Sequence, residues 1–206
     1  MIEILYEDNN MVFCVKPVGL SSEDDLPKAL SEQLKSEIYT LHRLDTPVGG
    51  VMVYAKNKSA AVKLSKKIAE NIDFEKTYLA VCEGIFEESE GVMEDLLFKD
   101  SRKNKSFVVK NERKGVKKAN LYYRVIKSGE FNGRECSLVM VALKTGRSHQ
   151  IRVQFASRKH PLLGDGKYGS KINCQIALFS HKIETCGKSF SKNPPCEKPW
   201  NVFEVF

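Results

Sequence analysis

The chain has 206 residues, 42% of them hydrophobic and 29% charged, and a formal net charge of +7; this is enough to bury a core, as one large domain or two small ones. No run approaches the ~20 apolar residues of a membrane helix, and the opening MIEILYEDNN lacks the basic and apolar stretches of a secretory leader. Cysteines at 14, 82, 136, 174, 186 and 196 form no C-x-x-C pair and have no histidine at zinc-ligand spacing, so no disulfide framework and no structural metal are expected, and the chain reads as cytoplasmic.

In chain order, IEILYED and MVFCVKP predict two short strands around an Asn9-Asn10 turn. PVGLSS is a loop. DLPKALSEQLK predicts an amphipathic helix, with Leu26, Leu30 and Leu34 at i, i+4, i+8. LHRLDTPVGG (41–50) is a turn feeding a strand over 50–55. KSAAVKLSKKIAE (58–70) predicts a helix, with Ala61, Leu64 and Ile68 on one face. EKTYLAVCEG is a strand, and the acidic FEESEG leads to VMEDLLF. The strands SFVVK, NLYYRVIK and ECSLVMVAL follow. SHQIRVQFASRK predicts a helix after the turn KTGR, with Ser148 as its N-cap. HPLLGDGKYGS is a Gly-rich loop, CQIALFSHKIET the last strand, and KNPPCEKPWNVF lies in a Pro-rich tail spanning about 187–206. With no repeat and no linker, this is one α+β domain over residues 1–206 on a mixed, mostly antiparallel sheet flanked by helices and loops.

The positive charge is clustered. Residues 1–40 hold three Lys and eight acids, whereas 99–118 hold nine Lys/Arg against two acids and 142–171 seven against one. Such clusters are the footprint of a polyanion partner, or equally a solvated basic face. An Asp before a Pro/Gly turn, as at Asp45, is most often a cap for backbone amides, and Arg43 beside it could be no more than a surface ion partner. His149 and Arg152, at i, i+3, would share one side of their helix, with Ile151 and Phe155 marking the buried side. Tyr78 lies on a strand, where an aromatic is usually core. LLGDGKYGS is not a phosphate loop, because Tyr168 stands where Ser or Thr is needed and the glycine spacing is wrong.

Taken together, these segments resemble the RluA-type pseudouridine synthases. HRLDTPVGG is similar to that family's HRLD-x-x-T-S-G, KTYLA (76–80) to its K-x-Y-x-A, and TGRSHQIRVQ (145–154) to its T-G-R-[ST]-H-Q-[IL]-R-V-H. VKPVGL (15–20), KKANLYYRV (117–125) and HPLLGDGKYG (160–169) resemble further family segments in the same order, from about residue 2 to 185. The chain departs from the pattern at Val48-Gly49, at Gln154, and at Phe179-Ser180. The S4 RNA-binding domain of many relatives is not expected, since the catalytic pattern begins at residue 2.

The resemblance implies a central RNA-binding cleft and an isomerase that converts uridine to pseudouridine in structured ribosomal or transfer RNA without metal or cofactor, acting as a monomer. It implies Asp45 as the catalytic carboxylate, Arg152 as the cation that orients it, and Tyr78 stacked on the uracil. A hydrogen-bonded cation favours an ionised carboxylate and fixes its direction. Arg43 would fill the place of a flipped-out base, and His42, Arg147, His149, Gln150, Lys103, Lys105, Lys117 and Lys118 are candidate RNA contacts. The alternative is a catalytically silent RNA-binding protein of the same fold. A glycosidase using Asp45 would want a second carboxylate, and these motifs offer none.

Overall fold

Asp8 shapes the first turn. Its Oδ1 accepts from the amides of Asn10 (2.7 Å) and Met11 (2.8 Å), and so closes a hairpin of β1 (Glu3–Glu7) and β2 (Met11–Lys16). The computed structural model describes residues 1–70 and 72–203. After β2 come α1 (Asp25–Leu34), β3 (Tyr39–Thr40), β4 (Gly49–Ala55), α2 (Lys58–Glu70) and β5 (Phe74–Glu83). They are followed by β6 (Glu90–Asp100), β7 (Lys105–Val109), β8 (Val116–Phe131), β9 (Arg134–Leu143), α3 (Gln150–Ser157), β10 (Leu178–Thr185) and β11 (Lys188–Ser191). Short 3₁₀ turns occupy Gly166–Tyr168 and Trp200–Phe203. The elements fall into two compact units: residues 1–76 with 179–193, and residues 77–178 with the segment from 194 onward.

In the first unit β4 is buried along its whole length. It runs antiparallel to β2 and parallel to β10, where Ser180 faces Gly50, and β11 folds back on β10. This unit is therefore a mixed sheet. Met11, Phe13, Val51, Val53, Ala60, Leu64 and Ile183 form its core. Helix α2 starts where Asn57 Oδ1 accepts from the amide of Ala60 at 2.8 Å, a side-chain cap of the usual kind. Helix α1 buries Leu26 and Leu30 and stops at Lys35, whose φ is 50°.

The second unit orders its strands β5-β9-β8-β6-β7. Asn132 (φ 51°) and Gly133 (φ 75°) turn β8 into β9, the Asn-Gly pair that two-residue hairpins favour. Helix α3 covers the sheet: Val153 packs with Leu97, Ala119 and Tyr168, and Phe155 meets Phe86 and Tyr123 edge-on. The α+β class and the mixed, mostly antiparallel pairing agree with the sequence.

Several boundaries differ from the sequence reading. Helix α3 begins at Gln150, and its cap is His149 in the left-handed region (φ 53°) with no side-chain cap bond. Ser148 is not the cap; its carbonyl accepts from Ser106 Oγ at 2.7 Å. The last long strand starts at Leu178, because residues before it are bound elsewhere: Ala177 exchanges backbone bonds with Leu163 and Val81. The Pro-rich tail contains β11 and a 3₁₀ turn, and its last three residues lie outside the described ones.

Candidate active site

Asp45 sits half-buried on the tight turn between β3 and β4. Its carbonyl accepts from the amide of Val48 at 2.9 Å, and the next carbonyl, of Thr46, accepts from the amide of Gly19 at 2.9 Å. Ser22 grips the preceding residue from both sides: its Oγ accepts from the amide of Leu44 (3.1 Å) and donates to the Leu44 carbonyl (2.9 Å). Beneath the turn lies Lys16, 1% exposed. Its ammonium donates to the carbonyls of Pro17 (2.9 Å), Thr46 (3.1 Å) and Val48 (2.8 Å). Burial lowers its pKa to about 8, and the charges of Asp45 and Asp25 oppose that fall. A lysine closing the otherwise apolar MVFCVK was the signal available in the sequence for this clamp.

The two glycines after the turn serve close packing. A Cβ on Gly50, whose φ is +123°, would lie 2.3 Å from the Ser180 carbonyl oxygen. One on Gly49 would meet the Lys16 carbonyl at 3.2 Å and the Phe179 ring at 3.5 Å. Phe179, one of the departures from the family pattern, thus packs against another of them.

His42 is buried, and its Nε2 accepts from the amide of Val53 at 3.2 Å. Its ring meets Phe74 edge-on at 5.5 Å. Burial, with the charge of Lys76 adding to it, pushes its pKa down to about 3. His42 is therefore a neutral ring that ties the turn to β4. Arg43 is about half exposed and lies 3.3 Å from an equally exposed Glu23, a pairing worth little in water.

The second unit holds Tyr78, Arg152 and most of the basic candidates. Tyr78 is buried on β5. The guanidinium of Arg152 makes a two-point ion pair with Asp165: Nε to Oδ2 at 2.7 Å and Nη2 to Oδ1 at 2.8 Å. The ring of Tyr168 lies 5.2 Å from the guanidinium carbon. The Tyr168 hydroxyl accepts from the amide of Ser106 on β7 at 2.8 Å and stands 2.8 Å from His149 Nδ1. Burial pushes the Tyr168 phenol pKa up; the Ser106 amide and Arg152 pull it down, while Asp165 raises it. Asp165 and Tyr168 are functional candidates that the sequence does not single out, because their Gly-rich loop lacks the spacing of a phosphate loop.

Gln150 is buried, and its side chain is spent on bonds within the protein. Its Oε1 accepts from Thr145 Oγ1 (2.8 Å) and the amide of Arg147 (3.0 Å), while Nε2 donates to the Asn120 carbonyl (3.1 Å). It locks the turn before α3. Arg147 Nε donates to the Lys118 carbonyl at 2.9 Å. Lys103 and Lys117 are exposed, and Lys118 reaches Glu112 at 3.6 Å with both side chains largely in solvent. The Lys105 ammonium donates to the Lys167 carbonyl and lies 5.0 Å from the centre of the Tyr168 ring. Gln154, another departure from the family pattern, donates to Asp95 Oδ2 (2.7 Å) and the Met93 carbonyl (3.1 Å). Among the described residues no three His, Cys, Asp or Glu side chains gather as a metal site would require, and no described helix is long and apolar enough to cross a membrane.

Over 95% of its length the chain superposes on 83% of human RNA pseudouridylate synthase domain containing 1, with a TM-score of 0.82 at 23% identity. That defines the class of fold. The sequence matches the RNA pseudouridylate synthase family over residues 10–157, a span that includes Asp45, Tyr78 and Arg152. The chain belongs to that family. It is 33% identical to the uncharacterized RNA pseudouridine synthase YhcT of Bacillus subtilis over 89% of its own length, and 31% identical to the ribosomal large subunit pseudouridine synthase D of Borreliella burgdorferi over 93%. It spans only 63% and 64% of those two relatives. It is also 29% identical to the tRNA pseudouridine synthase C of Vibrio cholerae, with 85% of this chain and 78% of that one aligned.

Proposed function

We propose that this protein isomerises uridine to pseudouridine in a structured RNA, with Asp45 as the catalytic carboxylate. The observation that carries the reading is family membership over a span holding the three motif residues Asp45, Tyr78 and Arg152. In the reaction the C1′–N1 bond of the uridine breaks, the uracil turns, and a C1′–C5 bond forms. The C5 hydrogen leaves as a proton and N1 regains one, so no atom is gained or lost. The Asp45 turn suits such a role because its backbone is pinned by Lys16 and Ser22, leaving the carboxylate on a rigid support. Tyr78 offers an aromatic face, which tolerates a base in any rotation. Arg152 is the cation assigned to orient Asp45.

A stacked uridine is out of reach, so the base must be flipped at a cost of a few kcal/mol. The exposed Arg43 is the side chain assigned to the vacated place. Lys103, Lys105, Lys117, Lys118, Arg147 and His149 supply sequence-independent contacts to the RNA backbone. Ribosomal and transfer RNA are the substrate classes to test, since relatives carry both names. The experiment is tritium release from RNA labelled at uracil C5, with wild type beside Asp45→Ala. Release by wild type alone is expected. Release by both overturns the assignment of Asp45, and tight binding without release favours a silent RNA-binding protein.

A further inference from the structure

Asp165 lies beyond the span matched to the family, yet it is built into the surroundings of Arg152. The Asp165 side chain is fully buried, and that of Arg152 is 5% exposed. A buried guanidinium needs a counter-charge, or it pulls in water or moves. The two-point contact also sets the plane and the rotation of the guanidinium, which a single hydrogen bond would leave free.

Asp165 is itself held rigidly. Its amide donates to the Leu162 carbonyl at 3.0 Å, and its carbonyl accepts from the amides of Tyr168 (3.0 Å) and Ser170 (3.1 Å). The preceding Gly164 has φ +76°, and a Cβ there would stand 2.5 Å from the Cys174 carbonyl oxygen, so the loop has little room to shift. The Tyr168 ring lies beside the guanidinium carbon.

We infer that Asp165 is a positioning residue of the isomerisation, acting through Arg152 by fixing the direction in which its guanidinium points. The inference rests on the reading of Arg152 as part of the catalytic site. It is tested in the full chain with Asp165→Asn, Arg152→Gln and the double variant. The readouts are single-turnover rate at saturating RNA, RNA dissociation constant and melting temperature.

Asp165→Asn lowers the rate by about 100-fold or more, the scale set by a misplaced catalytic group, while RNA affinity stays within about threefold. The double variant is no slower than Arg152→Gln alone, because Asp165 has nothing left to position. A residue that only supports the loop would instead add its own loss in the double variant, in step with the melting temperature. A wild-type rate in Asp165→Asn, or losses that multiply, overturns the inference. If Asp165→Asn does not fold, the double variant, which buries no charge, still gives the deciding comparison with Arg152→Gln. Absence of pseudouridine with wild-type protein would instead overturn the reading of the reaction.

Discussion

His42 shows what a motif letter can and cannot tell. Its place in HRLD was plain from the sequence, but its burial was not, because burial follows from β4 and Phe74 closing over it. The consequence is a pH dependence of known sign. The unfolded chain binds a proton on this ring near pH 6.5, whereas the folded chain does so only near 3. Between those values the unfolded state holds more protons, so the stability present above 6.5 is lost as pH falls, by up to ~1.4 kcal/mol per pH unit from this group. His42→Gln keeps an acceptor for the Val53 amide and is expected to flatten that slope in urea titrations between pH 4 and 6.5. An unchanged slope would place the acid sensitivity elsewhere. Lys16 stands out in the sequence only as a lysine closing an apolar strand; that three carbonyls from two turns meet at its ammonium is a long-range outcome that no local pattern reports.

At the scale of elements, local signals worked where one segment decides its own shape. Helix α2 runs over the residues its apolar stripe predicted, and the first hairpin closes at its Asn-Asn turn. They failed where distant partners decide. The start of α3 is set by His149, held in a left-handed conformation beside the Tyr168 hydroxyl. The two-residue β3 exists only through its pairing with β4. Tyr168 also ties β7, the edge strand of the basic hairpin, to the arginine site. Tyr168→Phe keeps the ring beside Arg152 and removes the acceptor of the buried Ser106 amide, which should cost ~1–3 kcal/mol. Hydrogen exchange at Ser106 is the direct measure: faster exchange is expected, and unchanged protection would mean that the hydroxyl does not hold the strand.

For the whole molecule, the placement of charge was readable from composition along the chain, and the structure leaves Lys103, Lys117 and Lys118 exposed on the basic segment. RNA binding by such a surface releases counterions, so log K should fall linearly with log salt. Lys103→Ala and Lys117→Ala are each expected to reduce that slope by about 1 while weakening all RNA sequences alike. A flat titration would remove the basic segment from the interface. The family motifs were also readable, but the path of the chain through its units was not, because strand order is set by pairing across long separations. The first unit takes in residues 179–193, and β10 supplies the parallel neighbour of β4. During synthesis, at ~5–20 residues per second, β4 leaves the ribosome many seconds before β10 exists. Until then its Gly49-Gly50 edge lacks that neighbour, so the nascent protein carries β4 with one side unpaired until residues 179 and 180 have been made.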